Sequence, residues 1–275
     1  MTSLRLDKWL QAQARRLADA GVESPQLEAE IFYAEAAGVR RGSWFPDEKP
    51  RPQAARQTEE WIARRVRREP LQYILGHAPF RDLELFVSPA VLIPRPETEL
   101  LVDHVLQHLP RGGSLLDVGT GSGAIALATA YERPDVRVTA VDYSREALQT
   151  ARRNAAKYNL DVSFLESDLL DSVTKVFDVI AANLPYVTEK EYETLEPELF
   201  FEPKLALTAP DEGLELIFRL AKTAPEHLAP GGFLIFEIGE HQAERLCRYL
   251  HTLPYRDIAA RRDYCGVQRF VSAVL

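Results

Sequence analysis

Cysteine is nearly absent: Cys247 and Cys265 are the only two among 275 residues, and they form no C-x-x-C pair. Two thiols make neither a disulfide framework nor a metal site, so the expectation is a reduced, metal-free protein. Long apolar runs are missing as well. No window approaches the roughly 20 apolar residues of a membrane helix, and the first residues, "MTSLRLDKWLQAQARR", lack the apolar stretch of a signal peptide. These absences predict a cytoplasmic protein with no membrane partner. Basic excess is the third thing lacking. The formal net charge is −8 and the pI is near 5.4, which argues against stable, general nucleic-acid binding. The charge is uneven, because residues 1–70 carry 13 basic and 11 acidic side chains while the remainder is net −10. A mildly basic leading region suits contact with RNA or a ribosome-associated partner, and it suits ordinary solvated helix faces equally well.

What is present is material for a core, with 46% hydrophobic residues. "LRLDKWLQAQARRLADAG" repeats apolar residues at helical spacing and ends at Gly21. "ESPQLEAEIFYAEAAGV" has Ser24 at the N-cap position, Pro25 at the first helical position and a stop at Gly38. "PQAARQTEEWIARRVRRE" is a third helix. "PLQYILGHAPFRDLELFVSPAVLIP" then alternates apolar and polar residues around Gly76 and Pro79, the pattern of a β-hairpin. From about residue 95, strands such as "SLLDVG", "VRVTAVD" and "FDVIAAN" alternate with helical stretches, which predicts a mostly parallel sheet with helices on both faces. The organisation expected is a helical domain at 1–68, a hairpin linker at 69–93 and an α/β, Rossmann-like domain at 94–275. Ligands in such sheets bind at the carboxyl ends of the strands.

"LLDVGTGSGAIALA" sets Gly119, Gly121 and Gly123 between a strand and a helix. The spacing is G-x-G-x-G rather than the dinucleotide G-x-G-x-x-G. Asp117 stands just before the turn, where a carboxylate suits an amine better than a pyrophosphate. Asp142 ends the next strand, at the place where an acidic side chain meets ribose hydroxyls. Asp168 follows the third strand, positioned to accept from an adenine amino group, with Leu169 lining the ring. Each aspartate alone is also an ordinary cap or turn residue; their recurrence at consecutive strand ends favours S-adenosyl-L-methionine over a nicotinamide dinucleotide. Thr120, Gly123 and Tyr143 complete the expected cofactor set.

The apolar run "FDVIAANLPYV" stops at Asn183-Leu184-Pro185-Tyr186, beside that cofactor. An amide or aromatic NH2 is a poor nucleophile because its lone pair is delocalised. The Asn183 side-chain oxygen and the Leu184 carbonyl supply two acceptors for its two hydrogens, which holds the nitrogen and favours a localised lone pair. Pro185 pre-sets the loop and biases Leu184 to an extended conformation, and Tyr186 is suited to stack on the flat group. The bland reading of the same tetrapeptide is a strand exit with a packed tyrosine.

"FDVIAANLPYV" resembles the [N/D/S]-[I/L/P]-P-[Y/F/W] motif of amino-methyltransferases, and "PLQYILGHAPFRDLELFVSPAVLIPRPETELLVD", "FFEPKLAL", "LAPGGFLIFEIGEHQ" and "DYCGVQRFV" resemble segments of the HemK/PrmC family in order and spacing. That family methylates N5 of the glutamine in the GGQ loop of peptide chain release factors. The resemblance implies a seven-stranded methyltransferase domain with an antiparallel final strand, S-adenosyl-L-methionine as cofactor with S-adenosyl-L-homocysteine as product, no metal, a release factor as protein substrate and a monomer. It places Asp117, Gly119, Gly121, Asp142 and Asp168 at the cofactor and Asn183, Pro185 and Tyr186 at the glutamine amide. Arg95 and Glu99, with Thr98, belong to the segment that in the family folds against the active site; helix capping is the alternative for this stretch. Glu202 is read as substrate-side or as part of a turn, and Phe80 as packing on the substrate or in the hairpin core. The leading helices are expected to help dock the release factor.

Two features depart from the family pattern. Leu184 stands where a second proline is usual, and Ala209-Pro210 stands where a glycine pair is common. An N-L-P-Y motif also occurs in rRNA adenine dimethyltransferases, so the alternative is an adenine-N6 methyltransferase acting on RNA or DNA. The acid-rich "YVTEKEYETLEPELFFEP" beside the motif disfavours a nucleic-acid channel. A non-catalytic binding protein would have lost cofactor residues, and the glycine spacing weakens a dinucleotide oxidoreductase. His104 and His108 lie on one helix face without an H-E-x-x-H pattern and are expected to be solvated. Ser122 lacks the G-x-S-x-G spacing of a nucleophile elbow.

Overall fold

The computed structural model describes residues 4–275. The chain forms two compact units, one comprising residues up to Gly76 together with Glu196–Phe201, the other His77–Leu195 with Glu202–Leu275.

The first unit is helical: Leu6–Asp19, Pro25–Ala37, Pro52–Arg65 and the single turn Leu71–Leu75. Leu6, Trp9, Leu10, Gln13, Ala14 and Leu17 are the buried residues of the first helix, an i, i+3, i+4 stripe on one face. Pro25 opens the second helix and Gly38, at φ 62°, ends it. Ser24 occupies the N-cap position but its side chain makes no capping bond. Leu17, Phe32, Ile62 and Ile74 form one apolar cluster, and Leu6, Trp9 and Tyr33 anchor another. Arg65 is buried between two carboxylates, with Nε 2.7 Å from Glu28 Oε2 and Nη1 2.8 Å from Glu198 Oε1; Arg68 Nη2 lies 2.6 Å from Glu198 Oε2. A guanidinium so buried must be paired, and this pairing holds the 196–201 segment within the unit. The turn at 71–75 corrects the expected hairpin linker: Pro70 and Gly76 (φ 81°) bracket one helical turn too short to show a period, and the hairpin itself is confined to residues 77–86.

The second unit carries nine strands: β1 His77–Phe80, β2 Leu83–Phe86, β3 Ser114–Val118, β4 Arg137–Asp142, β5 Val162–Glu166, β6 Phe177–Ala182, β7 Leu228–Glu237, β8 Arg256–Arg262 and β9 Gln268–Val274. β1 and β2 pair as an antiparallel hairpin, and the other seven form one sheet in the order β5-β4-β3-β6-β7-β9-β8. β5, β4, β3, β6 and β7 are parallel, whereas β9 is antiparallel to both β7 and β8, so the expected fold class and the reversed final strand hold. Alternation along the central strands feeds two cores. Leu116, Val118, Ile180 and Ala182 join Ile217, Leu220 and Leu246 on one face; Leu115, Val179 and Ala181 join Leu101, Val105 and Leu127 on the other. Both faces are therefore covered by helices, and the strand ends on either side of β3 converge.

His104 and His108 are not simply solvated. The His104 ring is half-buried edge-on to Phe270, which lowers its pKa by desolvation, and His108 stacks flat on Phe233 with centroids 3.6 Å apart. Among the described residues no helix is long and apolar enough to cross a membrane, and no group of three or more His, Cys, Asp or Glu side chains is placed to hold a metal ion.

Candidate active site

A cavity of about 430 Å³ opens at the carboxyl ends of β3, β4 and β6 and after β5. Gly119, Thr120, Gly121, Asp142 and Tyr143 lie on its wall, as do Asp168 and Leu169. Opposite them stand Asn183, Leu184, Pro185 and Arg95. Asp117, Gly123, Tyr186, Phe80, Glu99 and Glu202 lie off that wall.

The glycine turn is held by backbone. Gly119 N and Thr120 N donate to the Val141 carbonyl at 2.9 and 3.0 Å, which pins the turn to β4. Gly119 has φ 75°, and a Cβ there would lie 2.9 Å from Leu184 Cδ2. Glycine is thus favoured here by its conformation, while the end of the Leu184 side chain packs close above it. Gly121, at φ 56°, faces open space.

Asp117 is fully buried beneath the turn. Its Oδ2 accepts from Thr120 Oγ1 at 2.6 Å and from Ala126 N at 3.2 Å. Its Oδ1 is buried with no hydrogen-bond partner among the described residues. Burial pushes this carboxyl up to about 7. Asp117 is absent from the cavity wall, and its Oδ2 is directed to Thr120 and the helix start. Asp142 Oδ2 accepts from Gly121 N at 2.9 Å and Oδ1 from Ser144 N at 2.8 Å, and burial raises its pKa against these bonds. Two backbone amides fix the carboxylate and leave lone pairs for a hydroxyl-bearing ligand. Asp168 Oδ2 is shared with Arg219 Nη2 at 3.0 Å.

The opposite wall is assembled from side chains. Asn183 Nδ2 donates to Thr98 Oγ1 at 3.1 Å, and Thr98 Oγ1 donates to Glu237 Oε2 at 2.8 Å. Glu237 ends β7 with 1% exposure, and burial pushes it up to about 7 although Thr98 and Arg269 favour its charge. Thr98 is therefore not a helix cap; the helix Pro96–His108 starts after Arg95 without a side-chain capping bond. Gln242 Nε2 donates to the carbonyls of Tyr186 and Glu212, both at 2.9 Å, while its Oε1 accepts from Gly239 N at 2.8 Å. Tyr186 is half-buried against the apolar core, and burial with the nearby Glu237 charge raises its phenol to about 12.

Three residues considered for the substrate side make structural contacts away from the cavity wall, and for Phe80 the hairpin-core alternative is the one seen. Phe80 is 1% exposed and packs with Leu85, Leu101 and Val105, because its face of the hairpin is the inner one. Glu99 Oε1 accepts from Arg81 N at 2.9 Å and steadies the hairpin turn, where Arg81 has φ 51°. Glu202 is buried, accepting from Ile93 N at 3.0 Å and pairing with Arg95 Nη2 at 2.5 Å, so it anchors the Pro94–Pro96 stretch and presents Arg95 rather than itself.

Two family models match: the PrmC N-terminal domain over residues 8–76 and the methyltransferase small domain over residues 96–209. A protein of Geobacter sulfurreducens named release factor glutamine methyltransferase is 38% identical over 93% of this chain and 91% of its own length. One of the same name from Koribacter versatilis is 44% identical over 82% of this chain and 83% of its own. The chain belongs to the release factor glutamine methyltransferase family. A solved methyltransferase from Pyrococcus furiosus shares the fold, with a TM-score of 0.56 at 22% identity over 70% of this chain and 89% of that one.

For a member of that family, three residues here carry roles that the sequence did not disclose. Glu237 is a carboxylate inside the apolar run "FLIFEIG" at a strand's carboxyl end, and that interruption is the signal that marks it. Arg219, on the helix Glu215–Thr223, reaches Asp168 across 51 positions. Gln242 reaches Tyr186 across 56. Neither has a local signature.

Proposed function

We propose that the chain transfers a methyl group from S-adenosyl-L-methionine to the side-chain amide nitrogen of the glutamine in the Gly-Gly-Gln loop of a peptide chain release factor. The observation that carries this reading is Asn183 on the cavity wall at the end of β6, its amide nitrogen already engaged by Thr98. Its oxygen is thereby left for a substrate NH2.

The residues fit the cofactor. The orphaned Asp117 Oδ1 beneath the turn is a buried negative charge in search of a positive one, and the bare Gly121 offers backbone to a ligand without a Cβ in the way. Asp142 suits ribose hydroxyls, and Asp168 with Leu169 suits the adenine. When bound, S-adenosyl-L-methionine supplies a methyl group on a cationic sulfur and leaves as the neutral thioether S-adenosyl-L-homocysteine. Asn183 Oδ1 and the Leu184 carbonyl accept the two hydrogens of the substrate amide and aim its nitrogen at the methyl carbon. Orientation of this kind contributes about 7–11 kcal/mol in favourable cases, and the two acceptors stabilise the positive charge that develops on nitrogen. Pro185, lacking an N–H, keeps the loop from folding back on itself. Once methylated, the substrate amide nitrogen would give up one proton to water. In this reading Arg95 meets substrate backbone, the helical unit helps dock the release factor, and the enzyme works as a monomer in the cytoplasm.

The test is direct. The full chain is incubated with S-adenosyl-L-methionine and either a recombinant release factor or an adenine-rich oligonucleotide, and the added methyl is mapped by mass spectrometry. Methylation of the Gly-Gly-Gln glutamine is expected; methylation of adenine alone would replace this reading with the nucleic-acid one.

A further inference from the structure

We propose that Thr98 and Glu237 are positioning residues that fix which end of the Asn183 carboxamide faces the cavity. The inference rests on the amide-methylation reading above and extends it to two side chains that the substrate does not need to touch. An asparagine amide has nearly isosteric ends, one accepting and one donating. Gripping an NH2 group requires the oxygen to face outward; a rotation of the terminal group by half a turn would present donors to donors.

The buried chain of hydrogen bonds decides the matter by counting protons. An ionised carboxylate is an acceptor only. Thr98 Oγ1, 2.8 Å from Glu237 Oε2, must therefore give its single hydrogen to Glu237. Its oxygen is then free only to accept, and the group 3.1 Å away on Asn183 must be the NH2 end. Thr98 lines the cavity but is only 4% exposed, and Glu237 is 1% exposed, so little of either group is open to water. Polarity thus runs in one direction, from carboxylate through hydroxyl to amide, and ends with Asn183 Oδ1 on the cavity side.

The groups facing Glu237 are Thr98 and Glu97 from the helix Pro96–His108, Asn183 and Tyr186 from the acceptor loop, and Arg269 from β9. Burial raises Glu237 to about 7, the largest influence on it, so it titrates within the working range. A protonated Glu237 can donate to Thr98, which frees the Thr98 hydrogen to point at Asn183 and removes the reason for the amide to keep its orientation. Methyl transfer should accordingly fall off along an acid limb near neutral pH that belongs to Glu237.

Thr98→Val removes the relay with little change of shape. The expected result is a fall in kcat on the full-length release factor of roughly 10- to 100-fold, the scale of one orienting buried hydrogen bond, with cofactor Kd by calorimetry within about twofold. Thr98→Ser should recover most of the loss, and Glu237→Gln should flatten the acid limb of kcat against pH. A readout independent of turnover is the side-chain 15NH2 pair of Asn183, assigned by its disappearance in Asn183→Asp. Its protons should exchange slowly with solvent in the parent chain and fast in Thr98→Val. Parent-like kcat in Thr98→Val, failure of Thr98→Ser to rescue, or equal exchange in both proteins would overturn the proposal. If the release factor is not methylated at all, the exchange experiment still decides: slow exchange abolished by Thr98→Val upholds the positioning role while the substrate reading falls.

Discussion

The two walls of the cavity are built by different means. On the cofactor side, Asp142 is gripped by the backbone amides of Gly121 and Ser144, and the glycine turn hangs on the Val141 carbonyl. On the acceptor side, Asn183 is held through Thr98 by Glu237 and Arg95 by Glu202, with Gln242 holding Tyr186 just behind the wall, each partner coming from a different stretch of chain. A wall made of backbone tolerates side-chain change everywhere except at the residues that touch it. A wall made of side chains fails when a remote, buried partner is altered.

The largest effect that would sharpen this contrast is Asn183→Ala. Release factor methylation should drop by at least about 100-fold, because both orientation and charge stabilisation are lost, while calorimetry shows cofactor affinity nearly unchanged. Appreciable retained turnover would break the assignment of the acceptor wall. Next comes Asp142→Asn, which cannot accept from two amides with the same strength. Cofactor Kd should rise about tenfold, the cost of one charge-assisted bond of roughly 1.5 kcal/mol, with kcat at saturation little altered; an equal fall in kcat would show that the two walls are not separable. Glu202→Gln should act on the acceptor side alone. It weakens the Arg95 pair, and a loss of about 1–2 kcal/mol of stability with a raised KM for the release factor is expected in thermal melts and steady-state assays. The smallest effect is one of pH. Asp117, raised to about 7 by burial, attracts a cationic ligand only when ionised, so cofactor affinity should improve a few-fold as pH rises through neutrality and flatten above it. Calorimetry across pH 6–8 should also show proton release on binding; a pH-independent Kd would mean that Asp117 keeps its proton throughout.

The same difference explains what could be read in advance. β3, the glycine turn and Asp142 lie within 29 positions, and each declares itself by composition: an apolar run, glycines at alternate positions, a carboxylate at the next strand's end. The sheet was legible because its strands alternate with helices over the whole second unit. Thr98 was visible only as a polar residue near a helix start, and its hydroxyl went instead to Glu237, 139 positions away. Phe80 and Glu99 sat in a stretch of strong resemblance, yet which face of the hairpin turned inward depended on packing against the helix Pro96–His108. The turn Leu71–Leu75 was hidden because five residues do not complete two helical periods.

The contact between Leu184 and the bare Gly119 has one more consequence. Since a φ of 75° holds position 119 to glycine, adjustment of this contact falls to the flexible end of the Leu184 side chain. A change of bulk at position 184 would alter how closely the glycine turn is covered while leaving the Leu184 carbonyl, the atom proposed for the chemistry, in the backbone.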